Sequence, residues 1–177
     1  MFKNTVVKRR LGSAAGALAL AVGGGLLAAA PASALNYYPI DTAGKAVQVQ
    51  VAFNGKCLEV ADWRTDDGAP VRQWSCTGGA NQKWTFTNGV AVNQASGKCL
   101  AVVDASTVRG AFIEQRGCDG SNNQIWGKVN VGADGYLSIH NVNSSYFLDV
   151  SGWNPNDGAA VDQWDPNLGA NQRWLLS

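Results

Sequence analysis

Between Cys57 and Trp174 the chain repeats one unit three times. Cys57-Leu58-Glu59-Val60 leads to Asn81-Gln82-Lys83-Trp84, and Cys99-Leu100-Ala101-Val102 leads to Asn123-Gln124-Ile125-Trp126. Phe147-Leu148-Asp149-Val150 leads to Asn171-Gln172-Arg173-Trp174. In each copy the first residue precedes the Trp by 27 positions, and a Gly (Gly68, Gly110, Gly158) follows that first residue by 11. Chance does not keep such spacings three times. A unit this short cannot bury its own apolar face, so the copies, named α, β and γ, must share one core.

Within each copy the pattern is that of short strands between turns. In copy α the expected strands are 47–53, 57–61, 69–75 and 82–87. Val47-Gln48-Val49-Gln50-Val51 alternates with period two, as a half-buried strand does. Asp66-Asp67-Gly68, Asn88-Gly89 and Asp134-Gly135 are turn signals. No stretch keeps a helical period. Four strands per copy give about twelve, and an all-β domain follows.

The first 34 residues belong to a different kind of segment. Lys3, Lys8, Arg9 and Arg10 precede an uncharged Ala, Gly, Leu and Val run from Leu11 to Ala30, and Pro31-Ala32-Ser33-Ala34 is a small-residue cleavage site. This is the three-part pattern of a secretory signal peptide. A membrane anchor is the alternative, since twenty apolar residues span a bilayer, but the run is only weakly hydrophobic. Processing takes away four of the 14 Lys+Arg and none of the 13 Asp+Glu, turning a net charge of +1 into −3. A mildly acidic product lacks the basic footprint of a nucleic-acid binder, and no second apolar run of spanning length follows. A hydrophobic content of 46% excludes a disordered chain. The expected product is secreted and monomeric, with a lead at 35–44 and one domain at 45–177 (α 45–87, β 88–130, γ 131–177).

Three Q-x-W motifs, each preceded by Asn, resemble the ricin B-type lectin family, known among carbohydrate enzymes as carbohydrate-binding module family 13. The resemblance spans nearly all of 45–177. It implies a β-trefoil, a six-stranded barrel capped by three hairpins with pseudo-threefold symmetry, in which Trp84, Trp126 and Trp174 are core residues. It also implies a secreted, non-catalytic binder of glycans such as galactosides, xylans or arabinans, with no cofactor.

Cys57 and Cys76 are 19 residues apart, as are Cys99 and Cys118, and both pairs occupy the same repeat positions. Pairing within each copy is the simplest of the three connectivities and suits an oxidising compartment. A four-Cys zinc site is the alternative, without the usual C-x₂-C spacing. Copy γ has Phe147 and Pro166 at these positions.

A shallow sugar site needs an aromatic platform for the C–H face of the ring, and a carboxylate and an amide for the hydroxyls. The family places the carboxylate two residues after the first Cys, the aromatic two before the second Cys, and the Asn before the Gln of Q-x-W. Copy γ matches with Asp149, Trp164 and Asn171. Copy α matches with Glu59, Trp74 and Asn81. Gln82 and Gln172 stand beside the amides and are counted with the sites. Arg72 and Asp162 occupy the place of the family's Gln and are counted with the sites; Asp162 is expected to alter which hydroxyls are accepted, and Arg72 or the longer side chain of Glu59 to weaken or redirect binding. Copy β keeps only Asn123, with Ala101 and Arg116 at the other two positions. Trp63 and Trp153 match each other, and copy β has Ala105 there. They are expected to form a second wall of each site, the alternative being plugs under a hairpin loop.

Two other function classes fit the residues less well. Glycoside hydrolysis usually needs two carboxylates roughly 5–10 Å apart, whereas Glu59 and Asp149 fall in different copies of a domain with a radius of gyration of ~14 Å. A protease-inhibitor loop could occupy the six-residue expansion between copies β and γ, in the Gly132–Tyr146 stretch, which also holds the sequon Asn143-Ser144-Ser145. Nothing in its residues points to a protease.

Overall fold

A computed structural model of the chain describes residues 38–130 and 133–177. The expected signal peptide at 1–34 lies outside the described residues. The strands are β1 (Tyr38–Pro39), β2 (Ala46–Val51), β3 (Cys57–Val60), β4 (Ala69–Trp74), β5 (Lys83–Thr87), β6 (Val90–Asn93) and β7 (Cys99–Val102). They continue with β8 (Ile113–Arg116), β9 (Trp126–Asn130), β10 (Leu137–Asn141), β11 (Phe147–Val150), β12 (Val161–Trp164) and β13 (Trp174–Leu176).

Six of these strands close a barrel. β2 pairs with β5 and β13, β5 with β6, and β9 with β10, while β10 pairs with β13. The bridge Val90↔Ile125 joins the strand β6 to the turn before β9. The hairpins β3–β4, β7–β8 and β11–β12 cap one end. The fold is a β-trefoil.

Trp84, Trp126 and Trp174 are fully buried. Each indole N–H donates to the carbonyl of a leucine in its own copy: Leu58 at 3.1 Å, Leu100 at 3.0 Å and Leu148 at 3.0 Å. The bulk of the indole fills the core while its one polar atom is satisfied. Cys57–Cys76 and Cys99–Cys118 are disulfide-bonded. In copy γ, Phe147 is buried at the corresponding place and packs near His140, with ring centroids 6.1 Å apart.

Two features depart from the expected plan. Among the described residues, six single-turn 3₁₀ segments punctuate the strands, at Ala61–Trp63, Ala80–Gln82, Val103–Ala105, Asn122–Gln124, Ser151–Trp153 and Ala170–Gln172. Those holding the Asn-Gln pairs turn the chain sharply enough to aim both amides inward. The described part of the lead, residues 38–44, also joins the fold: Tyr38 pairs with Lys128, and Ile40 is buried in the core.

The hairpins are fastened to one another by a glutamine that all three copies share. Gln73 Nε2 donates to the carbonyls of Asn154 and Asn156, Gln115 Nε2 to those of Arg64 and Asp66, and Gln163 Nε2 to those of Ser106 and Val108, at 2.7–3.0 Å. Each copy thus reaches into the loop of a neighbour, in cyclic order. The repeated glycines answer in kind. Gly158, Gly68 and Gly110 donate their backbone N–H to the carbonyls of Gln73, Gln115 and Gln163. They do so at φ between +80° and +84°, where a side chain is strained.

The three seams share a second contact, with one reversal. Asp157 accepts from the Ser75 N–H at 2.8 Å, and Asp67 accepts from the Gly117 N–H at 2.8 Å. At the third seam the acid has changed sides: Arg109 donates to Asp165 at 2.8 Å.

Gln163→Ala leaves the partly buried carbonyls of Ser106 and Val108 without this donor, each a loss of up to about 1–3 kcal/mol. Urea unfolding of this variant should show stability reduced by about 2–5 kcal/mol. A change below about 0.5 kcal/mol would show that the hairpins are held by something else.

Candidate functional site

In copy γ, β11 and β12 place Asp149 directly opposite Asp162, with Trp164 at the end of the ladder. Asp149 is buried, and its Oδ2 accepts from Asn171 Nδ2 at 2.7 Å and Gln172 Nε2 at 2.8 Å. Gln172 is itself fixed: its Oε1 accepts from the Asn167 N–H, and its Nε2 also donates to the Asp165 carbonyl. Asp149 Oδ1 makes no hydrogen bond among the described residues, and Asp149 lines a cavity of about 320 Å³. Trp153 and Trp164 form the aromatic part of its wall, with Asn167 and Asn171 beside them. Trp164 is 39% exposed and Trp153 46%.

Asp162 lies elsewhere. It is buried, does not line this cavity, and has one carboxylate oxygen without a partner among the described residues. Its effect on the site is electrostatic. Burial pushes the Asp149 carboxyl up to about 7; the Gln172 bond opposes the rise, the Asp162 charge adds to it and the Asn171 bond opposes it. Burial also raises the Asp162 carboxyl, against a hydrogen bond from Ser151.

Copy α has the same frame with different chemistry. Glu59 faces Arg72 across β3–β4. Glu59 Oε1 is held by Arg72 Nε at 3.0 Å and Nη2 at 2.9 Å, and Oε2 by Gln82 Nε2 at 2.9 Å. Asn81 Nδ2 lies 3.4 Å from Oε2. Both oxygens are therefore engaged by the protein. The Arg72 guanidinium also reaches Asp62 at 2.9 Å and stacks 4.3 Å from the centre of the Trp74 ring. The cavity here, with Trp63 and Trp74 in its wall, measures about 240 Å³. In copy γ the corresponding cation comes from the neighbouring copy: Arg109 lies 4.9 Å from the Trp164 ring centre.

Copy β has neither carboxylate nor platform at the matching positions, although Asp104 and Asp119 line its cavity. Ala101 faces Glu114, and Arg116 turns back onto Glu114 at 2.7 Å. Asn123 Nδ2 bonds the Val102 carbonyl, and its Oδ1 lies 2.6 Å from Ser121 Oγ. In copies α and γ the matching oxygens, Asn81 Oδ1 and Asn171 Oδ1, are buried and unpaired among the described residues. A buried unpaired acceptor costs about 1–3 kcal/mol, and this Asn oxygen is left so only in the two copies with a carboxylate at the Glu59 and Asp149 position.

Trp63 and Trp153 are exposed, Trp63 to 59%, and they line the α and γ cavities. Both adopt left-handed backbone, with φ of 57° and 55°, a conformation that strains a bulky residue. Each ring is seated on a glycine. A Cβ on Gly79 would come within 2.8 Å of Trp63, and one on Gly169 within 2.7 Å of Trp153. Copy β, with Ala105 in place of the Trp, has Ser121 in place of the glycine. Tryptophan and glycine are thus kept or lost together. Trp153 also meets Phe53 edge-on, with centroids 5.3 Å apart. The repeated Gly110 and Gly158 have a matching role at the platforms, lying under the edges of Trp164 and Trp74.

Residues 45–174 match the ricin-type β-trefoil lectin domain. The chain belongs to this lectin family. Its fold is similar to that of a designed threefold-symmetric protein, ThreeFoil, at 38% identity and a TM-score of 0.71, over 74% of this chain and 96% of that one. An exo-β-1,3-galactanase from Clostridium thermocellum matches at 33% identity and a TM-score of 0.71, over 78% of this chain but only 31% of the galactanase. The C-half of an earthworm R-type lectin, in complex with GalNAc, shares the fold at 20% identity and a TM-score of 0.62, over 75% of this chain and 98% of that one.

The raised carboxyl of Asp149 has a defined sign. A free Asp titrates near 3.9, so between pH ~4 and ~7 the folded state binds more protons than the unfolded state, and stability falls as pH rises. Asp149→Asn should therefore raise the melting temperature at pH 8, with the gain shrinking toward pH 5. Equal shifts at both values would show that Asp149 titrates normally.

Proposed function

We propose that the chain is a secreted, non-catalytic carbohydrate-binding protein whose principal site is in copy γ. One observation carries this: Asp149 presents an unengaged carboxylate oxygen to a cavity walled by Trp153 and Trp164. The carboxylate accepts hydroxyl hydrogens, the indoles take the apolar faces of a sugar ring, and Asn171 and Gln172 hold the carboxylate in place. Copy α is the second site, its carboxylate drawn onto Arg72 and its platform shared with that guanidinium. Two sites on one rigid body favour a surface of repeated glycans, where avidity can exceed single-site affinity by ~10²–10⁴.

The galactanase relative makes β-1,3-linked galactan the first glycan to test, followed by xylan and arabinan. Hydrolysis is disfavoured because Asp162 stays behind Asp149, so the two carboxylates do not flank a bond. Export accords with the two disulfides, and among the described residues no helix is long and apolar enough to cross a membrane.

A glycan array should show sugar-competed binding that Asp149→Ala weakens by about tenfold or more, a loss of ~1.4 kcal/mol. No binding by the wild type to any glycan, or binding indifferent to Asp149→Ala, would overturn the reading. Two further variants address the second wall. Trp153→Ala and Gly169→Ala should each lower affinity about 5–10-fold, as expected for an aromatic contact of ~1–1.5 kcal/mol. Both should leave the melting temperature within a few degrees of the wild type. A large loss of stability with unchanged affinity would make Trp153 a packing residue.

A further inference from the structure

A cavity of about 420 Å³, larger than those in copies α and γ, lies where the three hairpins meet. Its position follows from the ladder. Pro70 pairs with Glu114, Phe112 with Asp162, and Ala160 with Arg72. In each copy the first of these partners is the residue 13 after the start and the second the residue 15 after. The three pairings close a ring around the pseudo-threefold axis. Val71, Ile113 and Val161 form the buried floor.

The rim is not symmetric. Of the three equivalent residues only Phe112 is aromatic, and it is 56% exposed. Gly158 and Ala160 keep the γ side low. Polar groups are few: Arg72, Asp62 and Glu114. Glu114 Oε1 is held by Arg116, while Oε2 makes no hydrogen bond among the described residues. An apolar bowl with an aromatic wall and a small number of oriented polar groups is the usual make-up of a ligand site, and its volume lies within the usual range of ~300–1,000 Å³.

What connects this cavity to a ligand is its continuity with copy α. Arg72 and Asp62 line both cavities, so the guanidinium–carboxylate pair is a common wall between them. The α cavity is the smaller, and both oxygens of Glu59 are already bonded, which leaves little to hold a single sugar. A ligand long enough to cross the Arg72–Asp62 wall gains the Phe112 ring and the Glu114 carboxylate.

We propose that the axial cavity is the second subsite of copy α, so that α takes an extended neutral oligosaccharide with an inner ring on Phe112, while γ takes a single sugar residue. This rests on the lectin reading given above. It divides the two sites by ligand length rather than by sugar identity.

The test is calorimetric titration of Asp149→Ala protein, in which copy γ is disabled, with β-1,3-galacto-oligosaccharides and xylo-oligosaccharides from mono- to pentasaccharide. The monosaccharide should bind immeasurably weakly, and affinity should rise about tenfold or more with added residues, a gain of ~1.4 kcal/mol. Adding Phe112→Ala should abolish the rise, and Phe112→Trp should restore it. In ¹H–¹³C spectra the Phe112 ring should shift with tetrasaccharide and not with monosaccharide. A length dependence that survives Phe112→Ala overturns the axial subsite, as does an Asp149→Ala protein that binds nothing or binds monosaccharide as well as it binds oligosaccharide. Sedimentation showing Phe112-dependent dimers would assign the face to self-association and also overturn it. Wild type that binds no sugar of any length is a different result, the failure of the lectin reading itself.

Discussion

Three buried glutamines, one per copy, hold the trefoil together. Each spends its amide hydrogens on two carbonyls of a neighbouring copy and returns its own backbone carbonyl to that neighbour's glycine. The Trp residues of the core supply the apolar driving force, but apolar contact alone is non-directional. The amide network sets how far each hairpin is rotated against the next. The candidate sites depend on that setting. Trp74 stands over Gly158 and Trp164 over Gly110, so each platform is completed by another copy. A copy isolated from its neighbours would have the side chains and not the site.

Much of this was legible in the sequence because it was written three times. The repeat period implied the shared core, the Q-x-W tryptophans its contents, and equivalent Cys spacing its two disulfides. The carboxylate, platform and amide positions of copies α and γ do converge. Gln73, Gln115 and Gln163 were equally visible, being identical in all three copies, yet without a partner in sequence their role was not apparent. Their acceptors are main-chain carbonyls some 50–80 residues away, and backbone atoms leave no trace in residue identity.

Other features needed the cross-strand register. In the sequence Arg72 and Asp162 hold equivalent positions within the two expected sites. The ladder sets Arg72 opposite Glu59 and Asp162 opposite Asp149. One carboxylate consequently has its remaining oxygen taken by a guanidinium, while the other keeps an open oxygen, and its carboxyl, raised to about 7 chiefly by burial, is pushed a little further by the Asp162 charge. The pairing of Trp63 with Gly79 and of Trp153 with Gly169 also depended on distances that the 3₁₀ turns create, and those turns were absent from the strand pattern.

The reversed ion pair at one seam bears on how a threefold chain knows its own order. Hairpins so alike could dock in the wrong sequence, or onto the equivalent hairpin of another molecule. With Asp157 and Asp67 each meeting a backbone N–H, two of the seams are interchangeable. Arg109 and Asp165 make the third different. If the Asp157 loop docked beside Trp164 it would face Asp165, like charge against like. If the Arg109 loop docked beside Trp74 or Arg116 it would find no carboxylate at Ser75 or Gly117. The swap therefore acts as an address: it marks which copy follows which, by penalising the wrong neighbour.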